Sequence, residues 1–127
     1  MSAIIPVSKD ERSQKPIPSQ WRSTLSNVVK AFEEGDFELK RGIDRVRPIS
    51  QKAALTIANN IESYGAHLIS LPAETWDTSV CQWMRTYWDV LVDLYTVEEG
   101  ASDLVLSVRV YEVEADWDYE IQSVYVP

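Results

Sequence analysis

Two periods divide the chain. Up to Gly65 apolar residues recur with a helical spacing, and from Trp88 onward they alternate with polar ones. Trp21, Leu25, Val28, Val29 and Phe32 fall on one face of a 3.6-residue period. They predict a helix from Gln20 to Glu34, with Ser19 as its N-cap and Gly35 supplying the left-handed position past its end. Ala54, Ile57, Ala58 and Ile61 predict a second helix, from Ser50 as N-cap to Tyr64, ended by Gly65. Between the helices, Asp36–Pro48 is a connector pinned to the body by Phe37, Leu39, Ile43 and Val46.

Residues 66–87 carry two readings. His67–Leu71 has the composition of a short strand before Pro72. Val80, Trp83, Met84 and Tyr87 have the spacing of a short third helix capped by Thr78 or Ser79, yet Cys81, Trp83 and Thr86–Trp88 suit a strand equally well. Period alone does not separate these for so short a run.

The next segments are sharper. Trp88–Thr96 and Ser102–Glu112 are rich in β-branched and aromatic residues, and Val97–Ala101 between them reads as a five-residue hairpin loop. With Thr96 opposite Ser102, one face pairs Leu94 with Leu104, Val92 with Leu106, Val90 with Val108 and Trp88 with Val110. The other face pairs Asp89 with Arg109, as an ion pair, Leu91 with Ser107, Asp93 with Val105 and Tyr95 with Asp103. A slip of one residue would destroy that sorting. A third strand, Trp117–Val126, changes parity at Gln122–Ser123, which a single β-bulge absorbs. The predicted fold class is α+β: two N-terminal helices packed on one face of an antiparallel β-meander of three or more strands. Residues 1–16 mix charged residues, Ser and Pro and read as a flexible N-terminal tail; residues 17–127 read as a single α+β domain.

Charge changes this picture. Ten of the 12 Lys and Arg residues lie in the first 52 positions, and residues 53–127 carry a net charge of −11 within a chain of net −8. Such a field steers basic partners and opposes nucleic acid, so no nucleic-acid partner is expected. The basic connector residues Lys40, Arg41, Arg45 and Arg47 are expected to pair with the chain's own acidic half. The single cysteine, Cys81, permits no internal disulfide and reads as a small core hydrophobe. The first 16 residues hold no apolar signal-peptide core, and no run approaches a membrane span. The expected location is cytoplasmic, with no membrane partner.

Candidate chemistry is sparse. His67 is the only histidine, so any catalytic triad would have to use it; after the Gly65 helix end a structural role outweighs a catalytic one. One His and one Cys, far apart, make no zinc site, and the acidic residues lack calcium-loop spacing. No catalytic residue, metal or cofactor is predicted. The densest acidic group is Glu98 and Glu99 with Asp93 and Asp103 nearby. It reads as a solvated loop, a docking surface for a basic protein, or a carboxylate site. In the predicted register Tyr95, Tyr111 and Tyr125 share the outer sheet face with Leu91. They serve there as a protein-binding surface, or they are covered by residues 66–87 or the N-terminal segment.

Phe32–Phe37, Tyr64-Gly65, Trp88–Leu94, Glu98–Leu104 and the closing Val124–Pro127 resemble a family of small bacterial proteins known only as a domain of unknown function. The likeness covers roughly residues 20–127 and is most specific over Trp88–Leu106; it implies no activity. In size, charge and composition the chain is also similar, more loosely, to the immunity proteins of toxin systems.

These readings converge on a non-enzymatic, acidic protein-interaction domain, most concretely an immunity-type inhibitor of a basic protein partner. Its expected contact residues are Asp93, Tyr95, Glu98, Glu99, Asp103 and Tyr111. The alternative is a small-ligand binder or enzyme of cone-shaped α+β type, with a pocket between helices and sheet lined by His67, Trp83 and Trp88. A homodimer paired through sheet faces or edges is a third expectation.

Overall fold

The structure, a computed structural model, describes residues 4–127. The elements are β1 (Lys15–Pro16), α1 (Ser19–Glu33), α2 (Gln51–Tyr64), a 3-10 turn (Ala73–Asp77), β2 (Val80–Trp83), β3 (Trp88–Thr96), β4 (Gly100–Val113) and β5 (Asp116–Tyr125). The five strands form one antiparallel sheet in sequence order. The fold is therefore the predicted α+β class, with two more strands at the β3 side of the meander.

Both helices end where their glycines allow it. Gly35 (φ +83°) lets its own N–H donate to Phe32 O and that of Asp36 to Ala31 O, the paired bonds that close a Schellman end. Gly65 (φ +81°) closes α2, and the Ser50 hydroxyl caps its start by accepting from Ala53 N at 3.2 Å. Ser19 is not the N-cap of α1; Pro18 stands there and Ser19 opens the helix. Ser19 instead holds Ile5: its hydroxyl accepts from Ile5 N at 2.8 Å and its N–H donates to Ile5 O at 3.0 Å.

The segment expected as a flexible tail is placed against the body over residues 4–16; Met1–Ala3 lie outside the described residues. Trp88 Nε1 donates to Ser8 O at 2.9 Å, Gln82 Nε2 donates to Glu11 O at 2.9 Å, and Lys15–Pro16 pairs with β2. These bonds use backbone groups, which side-chain composition does not reveal.

Residues 66–87 resolve toward strand. Val80–Trp83 joins β3 by a tight turn, with Trp83 opposite Trp88 and Met84 N donating to Tyr87 O at 2.8 Å. His67–Ile69 makes only a bridge against the end of β3, through Leu68 and Thr96. The 3-10 turn is fixed by Thr75, wholly buried, whose hydroxyl donates to Asp93 O.

The predicted β3–β4 register holds from Trp88–Val110 to Asp93–Val105. It fails nearer the turn. Tyr95 faces Ala101 and Thr96 faces Gly100, so the expected pairs of Leu94, Tyr95 and Thr96 with Leu104, Asp103 and Ser102 do not form. The loop is three residues, Val97–Glu99, because Gly100 adopts φ +71°. The surplus residues of β4 bulge, held by the Ser102 hydroxyl, which donates to Leu94 O at 2.7 Å. In β5 the bulge falls where predicted: Gln122 is the extra residue between the pairs Ile121–Val108 and Ser123–Ser107.

The helices and the inner sheet face share one core. Trp21, Leu25, Val28, Ile57, Val90, Leu106 and Val108 are all exposed by 1% or less. At one end the indoles of Trp21, Trp88 and Trp117 meet edge to face at 5.4–5.6 Å, and Trp83 lies 4.3 Å from Trp88. The connector covers the free edge of β5: Tyr119 N donates to Arg45 O and Arg47 N to Tyr119 O, both at 2.9 Å.

Candidate functional site

The end of the molecule opposite the indole cluster gathers the predicted acidic residues. There the C-terminus of α2 meets the β3–β4 turn. Glu98 accepts from His67 N at 2.8 Å, and its other oxygen lies 2.7 Å from His67 Nδ1. Those bonds, the side-chain one foremost, hold the Glu98 carboxyl below the usual glutamate range. Tyr64 donates its hydroxyl proton to Glu99 and accepts from Asp103 N at 3.1 Å. The bond to Glu99 raises the Tyr64 phenol above its ordinary value. Glu98 and Glu99 thus clamp helix to turn. Asp103 gives the clamp only its backbone N–H, and its side chain is free.

Asp93 and Tyr95 lie on the outer sheet face beside the 3-10 turn. Desolvation raises the Tyr95 phenol, and the nearby carboxylates of Glu74, Asp93 and Asp77 add to the rise. Glu74 and Asp77 are the members that sequence reasoning missed; an irregular turn has no period to announce which way its side chains face.

Tyr111 does not join them. It pairs with Asp118 near the other end of β4, ten residues from Ala101, the partner of Tyr95, or roughly 30 Å along a strand. It sits among Arg47, Tyr87, Arg109 and Glu120: the Arg47 guanidinium lies 4.6 Å over its ring, and the Tyr87 ring lies 5.8 Å away.

His67, Trp83 and Trp88 do not line one cavity. Trp88, exposed by 1%, fills the core at the start of β3. His67, its side chain 83% exposed, stands by Val97 just past the end of that strand. Trp83 packs on Trp88 beneath Lys9. Roughly 25 Å of strand separates the histidine from the indoles.

The ion pairs divide the acidic half of the sequence. Lys9 pairs with Glu112, Arg45 with Asp116 and Asp118, and Arg47 with Glu120. All lie near the β4–β5 turn. Arg41 and Lys40 pair instead with neighbours in their own segment. Glu74, Asp77, Asp93, Glu99 and Asp103 have no Lys or Arg in ion-pair contact among the described residues. Asp89 and Arg109 face each other in register but are not in ion-pair contact, so the expected pair is absent. Folding therefore pairs the carboxylates near the β4–β5 turn, Glu114 excepted, and leaves the opposite end the richer in unpaired ones.

Among the described residues no group of three or more His, Cys, Asp or Glu side chains is arranged to hold a metal, and no helix is long and apolar enough to cross a membrane. The model of the family described as Domain of unknown function (DUF7668) matches residues 29–127, and the chain belongs to that family. Neither the curated proteins nor the solved structures contain a match to it.

Proposed function

We propose that this member of the family is a non-enzymatic interaction domain whose acidic end covers a basic surface on a protein partner. One observation carries the reading: Lys9, Arg45 and Arg47 pair with Glu112, Asp116, Asp118 and Glu120 near the β4–β5 turn, whereas Glu74, Asp77, Asp93, Glu99 and Asp103 at the other end have no Lys or Arg in ion-pair contact among the described residues. Tyr95 stands among them and offers contact area at low entropic cost. A like-signed cluster in an exposed position speeds encounter and selects partners by sign. In its most specific form the domain is an immunity-type inhibitor that caps a basic toxin in a bacterial cytoplasm. Asp93, Tyr95, Glu99 and Asp103 then remain contact residues, Glu98 shapes the turn, and Tyr111 lies outside the patch.

The test is capture of the partner from the host's own lysate by the tagged protein, at low and high salt. The control is the triple variant Glu74→Lys, Asp77→Lys, Asp103→Lys, whose three carboxylates make no side-chain hydrogen bond and whose folding is checked by circular dichroism. One stoichiometric basic protein, weakened by salt and lost by the variant, supports the reading. No partner at either salt, or equal capture by the variant, contradicts it.

A further inference from the structure

Arg109 is set apart from the other arginines. Arg12, Arg41, Arg45, Arg47 and Arg85 each pair with a carboxylate, and Arg22 donates two bonds to Ile17 O. The Arg109 side chain makes no ion pair with another described residue, in a chain where acids outnumber cations 20 to 12. Its register partners are both carboxylates, Asp89 and Glu120. Glu120, however, is taken by Arg47 at 2.9 Å and Gln122 at 2.8 Å, and Asp89 is not in contact. Arg109 Nε is buried with no partner. A buried donor left unmade is costly, more so on a charged group, and calls for a cause.

The guanidinium is nonetheless held. Its carbon lies 4.5 Å over the Tyr87 ring, and Tyr87 leans on Tyr111. The Tyr111 hydroxyl is its one polar side-chain neighbour in hydrogen-bonding reach, and that contact favours the charged form. Of the guanidinium nitrogens only Nε is buried without a partner. A cation fixed in orientation and left without an anion is prepared to receive one.

We propose that the terminal edge of Arg109, backed by Tyr87 and Tyr111, is a recognition site for one carboxylate side chain of a docking polypeptide. The fork matches a carboxylate in bidentate geometry. Asp89 and Glu120 nearby admit a single negative charge more readily than a phosphate dianion. The site stands on a sheet face rather than in the deep concavity that small ligands use, and Arg with Tyr is the composition of protein-interface anchors. This inference is independent of the acidic-end reading, since it concerns the other end of the same face.

The test is a titration of the ¹⁵N-labelled protein with acetyl-Gly-Glu-Gly-amide, followed at the Arg109 Nε–Hε signal. The expected result is a saturable shift at Arg109 larger than at any carboxylate-paired arginine. It is lost with the matching Gln peptide and reduced in Tyr87→Leu, and in Arg109→Lys the accompanying shifts of the neighbouring backbone amides are lost. A shift no larger than at the paired arginines, or an equal shift with the Gln peptide, overturns the proposal. The wild-type comparison of the two peptides decides the matter even where a variant fails to fold. A stronger response to inorganic phosphate than to the Glu peptide assigns the site to a free anion and overturns the polypeptide assignment.

Discussion

Glu98 and Cys81 show how a single environment decides what a side chain does. Glu98 accepts both the ring and the backbone N–H of His67, and its carboxyl is held low. A carboxyl depressed in the folded chain adds stability that is present above its unfolded value and lost as pH falls through the folded one. The Glu98 side-chain carbon is therefore expected to titrate by NMR below an ordinary glutamate, and to rise in His67→Ala. It should not rise all the way, because the amide at position 67 still donates. An unchanged midpoint in the variant would remove His67 as the cause. Cys81, exposed by 4%, has its thiol pushed up to about 11 by burial. At pH 8 it should resist a disulfide reagent in the native protein and react at once in urea, since the thiolate is the nucleophile. Fast reaction of the folded chain would contradict that burial.

At the scale of elements, turns divide what the sequence reveals from what it hides. The register from Trp88 to Asp93 was legible because one face is apolar at every step, and the Gln122 bulge was legible because parity changes there. Ser50 and Gly65 mark α2 by residue type alone. The β3–β4 turn was not legible: the alternation from Trp88 to Asp93 is the same with a five-residue loop as with a three-residue loop ending at Gly100, and in the folded chain a hydroxyl bond from Ser102 holds the bulge that the shorter loop requires. Ser19 has the chemistry of a cap but spends it on Ile5. The acidic end was half legible, since Glu98, Glu99 and Asp103 adjoin in sequence, while Glu74 and Asp77 arrive by tertiary packing. The β4–β5 turn carries strain at Glu114 (φ +51°) and Ala115 (φ +64°), both left-handed without glycine. Two such residues make the mirror-type turn that suits strand twist. Each L-residue there costs about 1–2 kcal/mol. Ala115→Gly should accordingly stabilise the protein by about 0.5–1 kcal/mol in urea unfolding, net of the entropy glycine adds to the unfolded chain. An unchanged or lower midpoint would show the turn to be unstrained.

At the scale of the whole molecule, the linear split of charge becomes a different split in space. The chain is basic first and acidic later, but the connector folds back over β5, and Arg45 and Arg47 cancel acids of the later half. The end built from the 3-10 turn and the β3–β4 turn, away from the indole cluster, keeps the larger share of unpaired carboxylates. The functional reading depends on that asymmetry more than on net charge, because a uniformly acidic surface would steer no partner to a place. It can be measured without a partner, by comparing amide relaxation induced by cationic and by anionic nitroxide probes in solution. The expected result is a clearly larger excess of the cationic probe at the amides of residues 74–77 and 97–103 than at those of 112–118. Equal excess at the two ends would contradict it.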